Sequence, residues 1–388
     1  MRSIGIDVHR DFCEIAIAEG GFVRSAGRVA TRPEALNLLG QSLVDTDEVA
    51  IEATSNAVAI ARILEPHVRR VVLVNPKAVR ENTRRAKTDR IDAKMLAQLV
   101  AVGFLDAVWT PDDATQTRRR LITRRCALVR ARTRAKNQIH AILGRNLLER
   151  PPMSDLFGRK GREWLAEQVV ALPIDERLSV EAGVRQVDFL SGEIDQLDQI
   201  LGADAVSDQD ALRLMTLPGV SMVTAIALLA AIGDIKRFPT PRKLVAYLGL
   251  DPRVRQSGSE PAKHGRISKQ GAGEIRGLLV EAAWHAARTP GPLHGFHQRV
   301  ALRRGSKIAT VATARKLVVI VWHLLSHGQE YAFMRPALYR EKLRRLELLL
   351  GAPRHQGKSV TGRQHLKPDQ RQAEREISAQ HERAYLSG

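Results

Sequence analysis

Cysteine is nearly absent from this 388-residue chain: only Cys13 and Cys126 occur. There is no Cys-x-x-Cys pair and no Cys/His grouping with zinc spacing, which excludes a disulfide framework and a zinc-finger-type site. A reducing cytoplasm fits that usage. Aromatic residues make up 4% of the chain, too few for base stacking to dominate any contact with nucleic acid. No apolar run reaches the ~18 residues needed to span a bilayer, and the N-terminus alternates instead of running from charged to apolar as a secretion signal does. The expectation is a cytoplasmic protein with no membrane partner. Acid is also scarce relative to base: 42 Asp and Glu face 61 Lys and Arg, a formal charge of +19. An excess of that size is the footprint of a polyanionic partner.

What is present divides by pattern. Residues 1–106 read as α/β. Ile4, Ile6 and Val8 alternate with Gly5 and Asp7, and Cys13, Ile15 and Ile17 repeat the pattern. Gly20-Gly21 turns the chain into a third strand over Phe22–Val29. Thr31-Arg32-Pro33-Glu34 looks like a helix start with a Thr cap. Short strands are expected at Val49–Glu52 and Val71–Val74, with a helix over Ala57–Leu64 between them. A further helix is expected over Asp89–Val102, with Ile91, Met95, Leu99 and Val102 as its apolar stripe.

Residues 107–207 form a basic helical region. Between Asp112 and Leu143 there is neither Gly nor Pro. Leu121, Leu128, Ala135 and Ile142 recur every seven residues, with Ile139 between them, as in a coiled-coil seam. Arg118, Arg119, Arg124, Arg125, Arg132 and Lys136 crowd the same stretch and are candidates for nucleic-acid contact. A second seam, Val187, Leu190, Ile194, Leu197 and Leu201, offers a partner within the same chain or between two chains. Residues 208–335 read as mostly helical. Residues 336–388 read as a helix followed, from Gly351, by a polar, basic tail expected to be disordered.

Four carboxylates stand out. Asp7 sits within a strand, where Asp is disfavoured, and Glu52 ends another. Asp89 and Asp92, three apart, share a helix face. Converging, the four would repel one another unless cations neutralised them. Mg²⁺ suits hard oxygen donors and phosphate co-ligands, and two such ions would serve phosphoryl transfer.

These residues carry a resemblance. Ile4-Gly5-Ile6-Asp7-Val8-His9 resembles the first strand of RuvC-like, ribonuclease-H-fold nucleases. Lys87-Thr88-Asp89-Arg90-Ile91-Asp92-Ala93-Lys94-Met95-Leu96-Ala97 is similar to the signature of the DEDD transposases of bacterial insertion sequences, the insertion-sequence one-ten family. Ile51-Glu52-Ala53-Thr54 fits that family's second acidic element. The resemblance implies a RuvC-like N-terminal domain, a coiled-coil middle and a mostly α-helical C-terminal transposase domain. It also implies Asp7, Glu52, Asp89 and Asp92 as catalytic, metal-binding residues.

In the C-terminal region, Leu217-Pro218-Gly219-Val220-Ser221 has the shape of a helix-hairpin-helix turn, whose amides, at Gly219 above all, suit a phosphate. A loop rich in Gly, Ser and cations follows, containing Arg253, Arg255, Lys263, Arg266, Ser268 and Lys269, and reads as phosphate-binding. Gly249-Leu250-Asp251-Pro252, Ser257-Gly258 and Gly265–Gly271 resemble the family's second domain, with its Gly-Leu-x-Pro, Ser-Gly and Gly-x-Ile-Ser-Lys-x-Gly elements. The resemblance implies a serine that attacks DNA covalently: Ser257, with Ser259 and Ser268 as alternatives. It further implies donor and target DNA as substrates, a structured guide RNA, and a homo-oligomer, dimer or tetramer. The rival expectation is a RuvC-like endonuclease that cuts branched DNA with water as nucleophile, needing the acids but no serine.

Overall fold

Alternating β-branched and small residues build the first strand, and both of its faces are covered. The computed structural model describes residues 2–75, 88–104, 107–256, 261–353 and 368–387. They fall into two units, Met1–Asp112 and Asp113–Gly388.

The first unit is a five-stranded mixed sheet in the order β3-β2-β1-β4-β5. β1 (Ser3–Val8), β2 (Phe12–Glu19) and β3 (Phe22–Ala30) form an antiparallel meander. β4 (Glu48–Glu52) lies parallel to β1, and β5 (Arg70–Val74) parallel to β4. Helices α1 (Pro33–Ser42) and α2 (Ala57–Leu64) cover one face, packing Leu36, Ile60, Ala61 and Leu64 on Ile4, Ile6, Val49 and Ile51. Helix α3 (Asp89–Ala101) covers the other, where Ala93 and Ala97 meet Ala16 and Ala18, and Leu96 and Val100 meet Ala50, Val72 and Val74.

Two sequence expectations are corrected here. The buried stripe of α3 is Asp92, Ala93, Leu96, Ala97 and Val100, whereas Val102 is 74% exposed. Small residues win part of the contact because Ala93 and Ala97 lie so close to the sheet that Gly5, Ala16 and Ala18 sit beneath them. Thr31 does not cap α1: the capping position is Arg32, which makes no side-chain cap bond. The Thr31 hydroxyl instead donates to the His9 carbonyl at 3.0 Å, tying the β1–β2 turn to the end of β3.

The second unit is helical apart from one hairpin. Helix α4 (Asp113–Arg145) runs antiparallel to α6 (Ile174–Ser207), because Arg118, Arg125, Arg132 and Arg145 meet Asp204, Asp198, Ser191 and Glu176 in descending order. Leu128 packs with Leu190 and Ile194, while Ile139 and Ile142 pack with Val180 and with the short helix α5 (Arg159–Val169).

Beyond them come α7 (Gln209–Met215) and α8 (Met222–Ile232). Every residue of α8 from Val223 to Ile232 is buried, as befits a helix that is apolar all round. Helix α9 (Pro241–Tyr247) leads into strands β6 (Pro252–Arg255) and β7 (Lys263–Ile267), an antiparallel hairpin where an irregular loop was expected. Its strands are too short and basic to show a period-two apolar signal.

Helices α10 (Gly273–Ala286), α11 (Pro292–Arg304), α12 (Ser306–His327) and α13 (Pro336–Leu349) complete the core. α12 is long and apolar enough to cross a membrane by composition, but it puts Ala314, Leu317, Val318 and Val321 into that core.

The tail expected to be disordered contains helix α14 (Pro368–Ser387). It is polar but docks on named partners. Glu382 accepts from the Gly291 N–H, Glu374 from the Ala337 N–H, and Tyr385 Oη from Arg299. Composition reports the scarcity of apolar residues in this segment but not such capping bonds.

Candidate active site

Gly5 fixes how closely α3 approaches the sheet. A Cβ there would sit 2.1 Å from the Ala93 carbonyl oxygen and 2.4 Å from the Ala97 nitrogen. Asp7 is the next residue on that face of β1. Ala50 pairs with Gly5 across the parallel ladder, so Glu52, two residues on, ends β4 on the same face. Asp89 and Asp92 both lie in the first turn of α3, where the helix dipole favours negative charge. The Thr88 hydroxyl caps that turn, accepting from the Ile91 N–H. All four predicted acids thus gather on one face of one sheet.

A histidine joins them. His9 Nε2 lies 3.2 Å from Asp7 Oδ2 and 3.2 Å from Asp89 Oδ1. The ligand atoms of Asp7, His9 and Asp89 all fall within 4.8 Å of one another, close enough to share a metal ion. Asp7 is buried, and burial pushes its carboxyl pKa up; Asp92 and Asp89 push the same way, against His9. A carboxylate made unfavourable by burial and by like charges is what a cation would relieve.

Beside the cluster, buried Glu14 accepts from Arg28 Nε at 2.7 Å and from Arg90 Nε at 3.3 Å. Arg28 also stacks over Phe12 and reaches to 4.0 Å from Asp89. His9, Glu14 and Arg28 were not selected from the sequence. His9 carried a usable signal, since a spacing of two from Asp7 places both on one side of an extended chain. Glu14 pairs with Asp7 across β1 and β2, a register the sequence does not print.

In the second unit, Ser257 and Ser259 lie outside the described residues. The foot of the β6–β7 hairpin is a tight knot. The Ser268 hydroxyl donates to Asp251 Oδ1 at 2.5 Å and the Ser268 N–H to the Asp251 carbonyl at 2.8 Å. Arg253 donates to the Ser268 carbonyl. Lys269 adopts φ +57°, a left-handed conformation costly for a residue with a side chain. Arg276 clamps the knot, donating to the carbonyls of Leu248, Gln270 and Gly271. Arg253, Arg255, Lys263, Arg266 and Lys269 are exposed around it. At the α7–α8 turn, Gly219 has φ +81°, and a Cβ there would meet the Ala282 carbonyl at 2.1 Å. Packing against α10 therefore already requires that glycine.

Residues 4–146 match a family model described as Transposase, and residues 211–298 one described as Transposase IS116/IS110/IS902 family. The chain is 30% identical over 288 residues to the putative transposase y4qE of Sinorhizobium fredii, covering 72% of this chain and 70% of that protein. The chain belongs to the IS110 family of transposases. It is also similar to the transposase for insertion sequence element IS1111A of Coxiella burnetii, at 29% identity, covering 67% of this chain and 72% of that protein. The pilin gene-inverting protein of Moraxella bovis is 26% identical, over 68% of this chain and 75% of its own.

The transposase spends most of the arginines of α4 internally. Arg118 is bonded to Asp204 through two 2.7 Å contacts and also reaches Asp208, and Asp204 raises its pKa further. Arg125 pairs with Asp198 through both ends of its guanidinium. Arg124 lies 3.7 Å from Glu193, and Arg132 donates to the Ser191 hydroxyl. Arg119 donates to the Ala230 and Ala231 carbonyls at the end of α8, and Lys136 sits over the Phe157 ring. These six cations, candidates for nucleic-acid contact by composition, each have a partner within the fold. The reason lies in α6, which carries eight acids against two arginines.

Proposed function

We propose that this transposase excises and inserts a mobile DNA element through a serine nucleophile assisted by Mg²⁺. The convergence of Asp7, His9 and Asp89, with Asp92 and Glu52 on the same face, carries the reading. The sheet order, with β1 to β3 antiparallel and β4 and β5 parallel to β1, supports a ribonuclease-H-like, RuvC-type fold for the first unit.

The donor set fits Mg²⁺. Asp7, Asp89, Asp92 and Glu52 supply hard oxygen atoms, and a dication would offset the burial and like charges that push the Asp7 carboxyl pKa up. Held by these carboxylates, a dication would supply Lewis-acid polarisation of a phosphate oxygen. His9 bridges Asp7 and Asp89, fixing how the two carboxylates face each other, and Arg28 adds positive charge beside Asp89.

Ser257 supplies the nucleophile. Its oxygen bonds to a DNA phosphorus and loses its proton, while the P–O bond to the departing strand breaks and that strand's oxygen takes up a proton. The phosphoserine ester keeps the bond energy for rejoining. Ser268 is bonded to Asp251 and serves the hairpin fold, which favours Ser257 over it. Arg253, Arg255, Lys263, Arg266 and Lys269 around the hairpin hold the DNA backbone. A structured guide RNA, carrying sequence specificity by base pairing, and a homo-oligomer rest on the resemblance to the family's motifs.

The test is capture of a covalent protein–DNA adduct with Mg²⁺ present. The wild type should form it, and Ser257→Ala and Asp7→Asn should not. Strand cleavage by the wild type with no adduct would instead establish water as the nucleophile, the endonuclease reading. RNA recovered with the purified protein should be enriched in one structured species, and its absence would remove the guide from the scheme.

A further inference from the structure

Residues 282–329 contain no Asp or Glu but seven Lys and Arg. They form the end of α10, then α11 and α12, joined by a single turn at Gly305. The contrast with α4 is sharp: Arg118, Arg124, Arg125 and Arg145 there meet acids of α6, whereas this stretch supplies no acid of its own. Arg303 donates to the Arg299 carbonyl one turn back, and among the described residues no carboxylate lies against Arg304, Lys307, Arg315 or Lys316. The nearby acids of α14 are used elsewhere. Glu382 accepts from the Gly291 N–H at the start of α11, and Glu374 from the Ala337 N–H.

Arg303, Arg304, Lys307, Arg315 and Lys316 are all exposed. Leu302 to Ile308, the end of α11 and the start of α12, is exposed throughout. Along α12, Ala309, Thr310, Thr313, Ala314, Leu317 and Val318 face the core. Arg315 and Lys316 are exposed between those buried positions, and Lys307 belongs to the exposed first turn of α12. No aromatic residue lies between Arg299 and Lys316, so the surface offers no platform for stacking unpaired bases.

We propose that the α11–Gly305–α12 corner, through Arg303, Arg304, Lys307, Arg315 and Lys316, is a docking surface for the phosphate backbone of double-stranded DNA. It rests on the family's action on DNA and not on Ser257 or a guide RNA. The surface reads no sequence; its cations set affinity and register. It accounts for part of the +19 charge that the internally paired α4 does not project.

The test is a salt titration of duplex binding by the full chain. Removing one cation that meets a phosphate flattens the dependence of log K on log salt by about 0.9. Arg303→Gln/Arg304→Gln/Lys307→Gln should thus flatten it by about 2 to 3 and weaken binding about ten-fold or more near physiological salt. Arg315→Gln/Lys316→Gln, farther along α12, should flatten it by about 1 to 2 and guards against a local folding defect in the first variant. Unchanged slopes in both variants overturn the proposal. So does loss of binding to single-stranded RNA, or to vesicles of anionic phospholipid, with duplex binding intact. The serine adduct assay reads a separate step, so failure there leaves this surface standing.

Discussion

Replacing Gly5 with alanine tests the contact that places the acids. The added Cβ would lie 2.1 Å from the Ala93 carbonyl oxygen, 2.4 Å from the Ala97 nitrogen and 2.9 Å from the Leu96 Cβ. Ordinary van der Waals separations are about 3.5 Å, so α3 must withdraw by about 1 Å or more. Two of the three atoms are backbone, so no rotamer change relieves the clash. Overpacking of this kind costs about 1–3 kcal/mol, and backbone neighbours place Gly5→Ala at the upper end. A destabilisation of about 3 kcal/mol corresponds to amides exchanging about 100-fold faster where the exchange requires α3 to open. Hydrogen exchange over residues 89–101, followed by mass spectrometry, reads this directly. Asp89 and Asp92 ride on that helix, and a displacement of about 1 Å at a reacting centre costs on the order of 100-fold in rate. Recombination should therefore fall more than folding alone explains. Gly144→Ala is the control: nothing lies within 4 Å of a Cβ there, so it should be neutral or stabilising by up to about 1 kcal/mol. Wild-type exchange over 89–101 together with wild-type recombination in Gly5→Ala would refute the reasoning.

Lys342 is half-buried, donates to the Met215 and Leu217 carbonyls, and is pushed down to about 7 by desolvation. The folded state therefore binds fewer protons than the unfolded state between about 7 and the ordinary lysine value. The contribution of Lys342 to stability should rise with pH across that window, and Lys342→Met should flatten the rise in melting temperature between about pH 7 and 9. Arg125→Ala breaks a partly buried pair with Asp198 and should lower stability by about 1–2 kcal/mol in a denaturant titration, while leaving the salt slope of DNA binding unchanged. A changed slope would mean that α4 contacts DNA after all. Truncation after Ala352 removes α14, and with it the acceptors for the Gly291 and Ala337 N–H groups. It should lower the melting temperature by several degrees, at about 1 kcal/mol for each hydrogen bond removed, and an unchanged value would show that α14 contributes nothing to the fold.

Much of the first unit was legible because its signals are local. Alternation marked β1 and β2, the Gly20-Gly21 turn marked β3, short apolar runs marked β4 and β5, and the three-residue spacing of Asp89 and Asp92 put both on one helix face. The periodicity of α3 misled about its buried side, since Ile91, Met95, Leu99 and Val102 look more apolar than Ala93 and Ala97. The hairpin β6–β7 and the docked helix α14 were missed because both are polar and depend on backbone hydrogen bonds to distant residues.

Charge shows the division most clearly. The sequence alone determined the family and the net positive charge and singled out four acids as candidates, because each is carried by residue identity at fixed spacing. Only the tertiary structure decided which charges are available. Antiparallel pairing sets the arginines of α4 against the acids of α6, while the acid-free corner of α11 and α12 stays exposed. It also decided that His9 stands between Asp7 and Asp89, because that meeting depends on how close a helix can come to a strand, and Gly5 sets that distance.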